Sequence, residues 1–497
     1  MRIWTGRAGS GKTTAILREI AALSEKGEGR QILLVPELNS HLMERRLAAA
    51  THNHGARTAE VLTFSRLADR VFSEVGGLAQ QMLTPAGQLL TLQEAARRVQ
   101  GGLSAWKGLA DKPELLQEAL RLIDECKTCA VAPETLFAAA EESEDAVLAE
   151  KLSDLAQILT AYERLCEESL PDPRDRLTHL RDRLAESHTL DGAAVYLDGF
   201  LGFTVQESAV VDAMLAAGVP LSAAVTCDTD YPEIFLTGCK TVQKLTRMAK
   251  HHNQTVERIE LGESKVARPA GLAALERESL LPVRTPQESA DGVRLYEAAS
   301  PFDECEHAAA YIRRKVRDEG ARCRDFVVAA RDIEPYSAFL AMAMARYDIP
   351  VFLAEKPDLL SRPPMALVTN ALEAVRNYFR YEDLFSCLKT GLAGLDRDEI
   401  DKLENYVLTW NIRGGAWERE WIEHPDGYGL PIDENAKAQL AELNTLRKRA
   451  IAPFSALREA LAGEQPAGDC VRALYAFLLA VDAPQRMTDR AAGHEQA

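Results

Sequence analysis

The sequence predicts an α/β protein with a parallel sheet, a phosphate-binding loop and an all-helical insertion. Short apolar runs alternate with helical patterns over residues 1–77, and this alternation is typical of parallel α/β sheets. A complete G-x-x-x-x-G-K-[ST] pattern lies between the first predicted strand and the first predicted helix. Residues 84–186 then carry apolar residues at helical spacing without a convincing strand.

The first segment alternates strand and helix three times. Ser65 is placed to cap the third helix, and Gly76 and Gly77 are placed to end it. The predicted strands span residues 2–5, 31–35 and 61–64, and the predicted helices span residues 12–26, 39–50 and 66–75.

Strand signals return after the helical insertion, at residues 194–197, 221–226 and 255–261, with a helix at residues 206–216. A polar, proline-containing linker follows. A second α/β unit is predicted from Val293, with strands at residues 293–298 and 325–329 and helices at residues 303–318 and 335–347. The remainder reads as helical.

Composition limits the class of protein. The chain has 497 residues and a net charge of −17, which suggests about three domains and argues against coating nucleic acid by bulk charge. No apolar run approaches a membrane span, and the N-terminus has no export signal. Nine cysteines without paired spacing indicate a reduced, cytoplasmic chain. We interpret Cys126 and Cys129 as ordinary helix-end thiols rather than a metal site.

The loop GRAGSGKT is the sharpest motif. Its glycines allow a tight turn that points backbone N–H groups at phosphates, and the following helix adds its positive end. Lys12 is expected to reach the β- and γ-phosphates, and Thr13 to complete Mg²⁺ coordination. The alternative is an ordinary glycine-rich turn before a helix. The residues predicted to bind ATP are Gly6, Arg7, Ala8, Gly9, Ser10, Gly11, Lys12, Thr13 and Thr14.

Asp198 ends an apolar strand and is the predicted second acid for Mg²⁺. The next residue is Gly199, where an efficient NTPase usually has a glutamate that activates water. Gln206 or Glu207 could approach the γ-phosphate instead, so Glu207 joins Lys12 and Asp198 as a candidate catalytic residue. The alternative for both is a role at the N-terminus of a helix.

Residues that follow two of the predicted strands form a second, less specific candidate site. Residues 36–40, which end with Ser40, follow one strand, and Phe64 and Arg66 follow another. Ligands of open α/β sheets lie beyond such ends, where aromatic and arginine side chains can hold single-stranded DNA. Core packing is the alternative for Phe64. Residues 1–70 carry 11 Lys and Arg against 7 Asp and Glu, a net charge of +4, which leaves −21 for the rest.

Four segments together resemble the AddB family, whose members pair with AddA in the bacterial AddAB helicase–nucleases and are related to RexB. The segments are GRAGSGKT at residues 6–13, LLVPE at residues 33–37, TFSRLADRVFSEVGG at residues 63–77 and VYLDGFLGFTVQE at residues 195–207. Phe64, Arg66 and Phe200 stand where the family has residues of its DNA-reading segments. Leu38 and Asp69 stand where the family commonly has a glutamine and an aromatic residue.

The resemblance implies a superfamily 1, UvrD-like helicase architecture with RecA-like sheets. Residues 1–83 and 187–265 would form domain 1A, residues 84–186 the helical insertion 1B, and residues 266–292 a linker. Residues 293–380 would begin domain 2A, and residues 381–497 a truncated helical 2B region.

The resemblance also implies a function. The chain would bind ATP and single-stranded DNA, including the Chi sequence, as the non-motor partner of an AddA-type subunit in double-strand break repair by homologous recombination. The family's nuclease domain and [4Fe–4S] cluster are expected only in a C-terminal half that this chain lacks, so nuclease activity is not expected of it. Hydrolysis of ATP stays open, because Gly199 follows Asp198. The alternatives are a stand-alone P-loop DNA helicase and a nonenzymatic, nucleotide-bound scaffold.

Overall fold

The computed structural model describes residues 1–52, 58–262, 266–278, 289–353, 359–360 and 362–495. The chain divides into two compact units, Met1–Leu295 and Tyr296–Ala497. Residues 279–288 of the predicted linker, and residues 263–265 at the end of the predicted domain 1A, lie outside the described residues.

A six-stranded sheet forms the centre of the first unit, and all of its strand pairs are parallel. Its order is β3-β2-β4-β5-β1-β6, so β5 separates β1 from β4. The carboxyl ends of all six strands therefore meet at one edge. The strands are β1 (Arg2–Gly6), β2 (Arg30–Leu34), β3 (Ala59–Leu62), β4 (Ala193–Leu197), β5 (Leu221–Thr226) and β6 (Glu257–Glu260).

Helices cover both faces of this sheet, as its apolar strands require. Successive residues of β2 point to opposite faces, so Ile32 and Leu34 enter one core while Leu33 enters the other. One face packs against α1 (Lys12–Lys26) and α2 (Ser40–Ala50). The other packs against α3 (Phe64–Val75) and against three helices from later in the chain.

The predicted insertion, residues 84–186, is described in full and consists of helices joined by loops, without a strand. Its apolar core includes Leu92, Ile123, Ile158 and Tyr162. The helices of the insertion are α4 (Pro85–Val99), α5 (Pro113–Thr128), α6 (Pro133–Glu142), α7 (Ala146–Glu168) and α8 (Arg176–Arg183). The last of these, α8, packs on the sheet through Leu180.

The first unit ends with three further helices: α9 (Val205–Ala216), α10 (Leu236–His251) and α11 (Ala270–Glu278). Helices α9 and α10 pack on the same sheet face as α3. The sequence patterns alone did not predict α10, and they placed α11 within a linker.

The start of α3 corrects the predicted cap. Thr63 rather than Ser65 caps this helix, because the backbone of Thr63 is extended and its side chain accepts a 3.2 Å hydrogen bond from the N–H of Arg66. The preceding strand accordingly ends at Leu62 rather than at Phe64.

The second unit is helical in its described part. Helices α12 (Pro301–Glu319) and α13 (Glu334–Arg346) share a small core. A larger core joins the helices that follow residue 362. These are α14 (Pro363–Arg376), α15 (Tyr381–Leu388), α16 (Arg397–Trp410), α17 (Glu434–Ala460), α18 (Ala467–Ala480) and α19 (Ala483–Glu495).

The strands predicted at residues 293–298 and 325–329 are wrong for the described residues, which form no strand there. Leu295 and Val327 are 99% and 89% exposed. A strand needs a neighbour that completes its hydrogen bonds, and neither segment has a ladder partner in the described part of the chain. The six strands of the first unit are therefore the only sheet that the structure describes.

Candidate nucleotide-binding site

The GRAGSGKT loop joins β1 to α1 at the carboxyl edge of the sheet. Gly9 and Gly11 adopt left-handed backbone conformations, with φ of 80° and 95°. A Cβ at Gly6 would lie 2.6 Å from Ser10 Oγ and 2.8 Å from the carbonyl oxygen of Leu261, so only glycine fits there. The loop therefore closes tightly over the first turn of α1, whose N–H groups lack intrahelical acceptors.

Lys12 lies inside this loop and is only 9% exposed. Its ammonium group donates hydrogen bonds to the carbonyl oxygens of Gly6, at 2.7 Å, and Arg7, at 2.8 Å. Burial lowers the pKa of Lys12, and the charge of Asp198 partly opposes this shift. A positive charge is thus held within the loop, against the carbonyl oxygens of its first two residues.

Asp198 follows β4 and is buried beside the loop. Its N–H donates to the carbonyl oxygen of Leu34 at 3.1 Å, and its carboxylate lies near the Thr13 side chain. Burial raises the pKa of Asp198, while the nearby polar groups of Thr13 and Gly199 and the charge of Lys12 act against the rise. A hydroxyl and a carboxylate side by side are oxygen ligands of the kind that Mg²⁺ takes in phosphate sites.

Gly199 explains why no second acid follows Asp198. Its φ is 82°, and a Cβ there would lie 3.2 Å from Asn39 Nδ2 and 3.4 Å from Pro36 Cδ. This backbone position disfavours any L side chain, so a glutamate at position 199 would be strained and crowded.

Glu207 and Gln206 are bonded elsewhere. The Glu207 carboxylate accepts a 2.8 Å hydrogen bond from the N–H of Thr204, and the Glu207 N–H donates to the Thr204 hydroxyl at 3.1 Å. This capping box opens α9. The Gln206 amide donates to the carbonyl oxygen of Arg174 at 2.9 Å. The geometry favours the helix-start interpretation for Glu207, whereas Gln206 joins the start of α9 to the start of α8.

Sequence reasoning missed the surroundings of Arg7. The Arg7 guanidinium donates a 2.6 Å hydrogen bond to Asp228 and lies 4.9 Å from the ring centroid of Tyr231 and 5.5 Å from that of Phe235. Asp228 stands two residues after β5, at the same edge as the loop. Its place after a predicted strand could have indicated that Asp228 lies near the P-loop, since the carboxyl ends of parallel strands meet at one edge of the sheet.

The predicted DNA-binding residues lie on loops and helix starts after β2, β3 and β4, which are neighbours in the sheet. Phe64 is only 6% exposed and meets half-buried Phe200 edge-on, with 5.7 Å between ring centroids. Ser40 begins α2 and is half-buried, and exposed Arg66 forms an ion pair with Glu44. The structure thus brings Phe64 and Phe200 together and supports the packing alternative for Phe64.

Two further side chains considered in the sequence analysis lie in the turn after β2 and within α3. Leu38 is fully exposed, and Asp69 forms an ion pair with Arg176 of α8. Among the described residues, no group of three or more His, Cys, Asp or Glu side chains could hold a metal ion. No described helix is both long and apolar enough to cross a membrane.

The sheet order, the loop and the helical insertion define a P-loop protein with a RecA-like helicase fold. Residues 3–276 match the family model described as "ADDB, N-terminal". The chain belongs to the AddB family.

Several relatives, each named as the B subunit of an ATP-dependent helicase/deoxyribonuclease, support this assignment. The chain is 33% identical to that of Acetivibrio thermocellus, covering 98% of this chain and 44% of the relative. It is 31% identical to those of a Thermoanaerobacter species and Desulfitobacterium hafniense, covering 98% of this chain and 44% and 42% of the relatives. The chain spans less than half the length of these curated relatives.

Proposed function

We propose that the first unit binds ATP with Mg²⁺. The observation that carries this proposal is that buried Asp198, at the end of β4, lies beside Thr13 and the Lys12 ammonium of the P-loop helix, and the charges of Lys12 and Asp198 each shift the other's pKa. Thr13 and Asp198 are brought together from distant parts of the chain. The two residues lie 185 positions apart in sequence. A hydroxyl and a buried carboxylate placed together beside the Lys12 ammonium match the ligand chemistry of a Mg²⁺–phosphate site.

Each part of the loop has a role in this proposal. Backbone N–H groups from Gly9 to Thr13 would hold the phosphates, Lys12 would neutralise their charge, and Thr13 with Asp198 would hold Mg²⁺. Gly6, Arg7, Ala8, Ser10 and Thr14 would shape and flank the loop.

Turnover of the bound nucleotide is expected to be slow. Bound Mg²⁺–ATP supplies a phosphoanhydride that can be hydrolysed, but the usual activating glutamate is replaced by Gly199, and the Glu207 carboxylate is engaged in the cap of α9. We therefore propose slow hydrolysis, and a catalytic role for Glu207 stays a prediction.

The wider function follows from family membership. The relatives carry the name of a helicase/deoxyribonuclease subunit, and a subunit requires a partner. We propose that this chain contributes to an ATP-dependent helicase–nuclease with an AddA-type subunit, and that this complex acts in recombinational repair of double-strand breaks. We also propose a surface that binds single-stranded DNA and reads the Chi sequence. Its residues are Ser40, Phe64, Arg66 and Phe200. Phe64 would support Phe200 from beneath rather than stack on a base itself.

The domain assignment is also a proposal. The sheet with its flanking helices would be domain 1A, and the helices of residues 84–186 would be 1B. Residues 293–380 as the start of 2A, and residues 381–497 as part of 2B, rest on the resemblance, because the described part of the second unit contains no strand.

Equilibrium binding of labelled ATP to the purified chain, with and without Mg²⁺, tests the proposed site. Saturable binding that weakens on removal of Mg²⁺ is expected, and its absence at millimolar ATP would overturn the proposal. Co-purification with an AddA-type subunit tests the assignment to a complex. Strand displacement by the chain alone would favour the stand-alone helicase instead.

A further inference from the structure

Helix α10 and its flanks carry an unusual charge for this chain. Residues 234–256 contain four Lys or Arg residues and two histidines but no Asp or Glu, in a protein with a net charge of −17. Glu233 and Glu257 bound the segment on either side. This second basic region is separate from the P-loop and the strand ends.

The fold places this charge on one side of the helix. Val242, Leu245 and Ala249 pack into the core of the first unit. The opposite side of α10 exposes a row of side chains that we call the α10 ridge: Lys240, Gln243, Arg247, Lys250 and His251. Spacings of three and four residues align them along the helix axis, and from Lys240 to Lys250 the ridge extends about 15 Å.

The cations of the ridge are not balanced by carboxylates. Among the described residues, none lies within ion-pair distance of Lys240, Arg247 or Lys250, whereas many arginines elsewhere in the chain are paired, such as Arg66 and Arg176. The acidic side chain that approaches from α9, Asp212, contacts His252 at 2.9 Å. Lys244, beside the ridge, donates to the Ser208 hydroxyl at 2.5 Å. The charge of the ridge is therefore available to a partner.

The composition of the ridge selects the kind of partner. Its members are three cationic side chains, one amide and the His251 imidazole, without the Trp, Tyr, Phe or large apolar anchors that stabilise the centre of most protein interfaces. Apart from the small ring of His251, it has no aromatic side chain on which a base could stack. Each strand of duplex DNA presents a phosphate about every 3.4 Å along the axis, so a ridge of this length faces several phosphates.

We propose that the α10 ridge binds the phosphodiester backbone of a nucleic acid without reading its sequence. This surface is additional to the strand-end residues of the proposed Chi-reading surface. It does not depend on the nucleotide site, because none of its side chains belongs to the P-loop.

The test compares two triple variants of the full chain. The ridge variant combines Lys240→Gln, Arg247→Gln and Lys250→Gln. The control combines Lys107→Gln, Lys112→Gln and Lys151→Gln, which removes the same charge from the helical insertion. Fluorescence anisotropy measures binding to a blunt duplex of about 20 base pairs and to oligo(dT) of similar length over a salt series.

We expect the ridge variant to bind at least about tenfold more weakly at low salt, with a salt slope shallower by about three. The control should stay close to wild type. Loss on only one probe would support the proposal and identify the form of backbone that the ridge binds. Equal behaviour of the two variants, or no binding of wild type to either probe, would overturn it.

Two further measurements separate the possible outcomes. ATP binding, measured in parallel, should be the same in the ridge variant and in wild type. Failure of wild type to bind ATP would therefore contradict the proposed nucleotide site, but the DNA-binding comparison would still test the ridge. If the ridge variant keeps its DNA affinity but no longer associates with an AddA-type subunit, the ridge is a protein interface and the proposal is wrong.

Discussion

Arg7 of the P-loop donates a 2.6 Å hydrogen bond to Asp228, two residues beyond the end of β5. Both side chains are largely buried, and the guanidinium also lies against Tyr231 and Phe235. The start of the P-loop is therefore held by two sets of contacts: the Lys12 ammonium binds the carbonyl oxygens of Gly6 and Arg7, and the Arg7 side chain binds the segment after β5. Its conformation depends on a residue more than 200 positions away.

This ion pair predicts energetic coupling. In a double-mutant cycle of Arg7→Ala and Asp228→Ala, we expect a coupling free energy of about 0.5–3 kcal/mol, because the charges are partly desolvated and in direct contact. Urea denaturation of the four proteins measures it, and ATP affinity should fall in both single variants. Arg18→Ala, an exposed change on α1, is the control. A coupling free energy of zero would show that the contact does not hold the loop.

A second prediction concerns Gly199. Gly199→Ala should destabilise the protein by at least about 1–2 kcal/mol, the usual cost of a left-handed L residue. Gly218→Ala is a matched control, because Gly218 has a φ of 74° and a Cβ there meets nothing within 4 Å. The excess loss at Gly199 measures the crowding by Asn39 and Pro36. Equal losses in thermal denaturation would mean that crowding does not exclude a side chain at position 199.

A third prediction concerns Asp198, whose ionised carboxylate should lower the stability of the nucleotide-free protein but strengthen its binding of ATP with Mg²⁺. Burial raises its native pKa above the unfolded value, so the native state holds the proton more tightly than the unfolded state does. That contribution favours folding at acidic pH and is lost as the pH rises through the native pKa. Without nucleotide, Asp198→Asn should therefore gain stability relative to wild type as the pH rises from about 4.

Denaturation at several pH values measures this difference, with the exposed change Asp111→Asn as control. The same Asp198→Asn variant should bind ATP more weakly in the presence of Mg²⁺, since it lacks the carboxylate. A stability difference that does not change with pH would contradict the assigned cause of the pKa shift.

The buried carboxylate of Asp172 is the centre of a polar network in the helical insertion. Asp172 accepts hydrogen bonds from the Gln88 amide at 3.0 Å and the Tyr162 hydroxyl at 2.9 Å, and Lys127 lies 4.0 Å away. Asp172→Ala should cost about 3–5 kcal/mol, because it leaves a buried network without its acceptor. Tyr162→Phe, which removes a single hydroxyl, should cost only about 1 kcal/mol. Amide hydrogen exchange of α4 and α7 would localise the loss, and similar effects of the two variants would contradict the central role of Asp172.

The strands and the P-loop were predictable because their signals are local. Glycine spacing, a preceding apolar strand and a following helix identify the loop within residues 1–26, and an apolar run that ends in Asp198 identifies β4. The contact of Arg7 with Asp228 carries no such local signal, since it arises from strand order. Ser65 and Thr63 are both good capping residues, and only the backbone conformation selects Thr63.

The errors in the second unit have a different origin. Residues 325–329 have the composition of a strand, but a strand forms only beside a partner, and local composition cannot supply one. The first unit also holds a helix that was not predicted. Helix α10 was missed although Val242, Leu245 and Ala249 have helical spacing, because Gly238 and the turn residues before it obscure its start.

The most direct test of the central claim is the ATP affinity of Lys12→Ala. The claim is that this chain binds ATP through the P-loop, with Lys12 against the phosphates. Lys12→Ala should weaken ATP binding by at least about tenfold, since a charge-assisted contact is lost, while its far-ultraviolet circular dichroism stays that of wild type. Lys26→Ala, an exposed change at the other end of α1, should bind like wild type. An unchanged ATP affinity in folded Lys12→Ala would contradict the assignment.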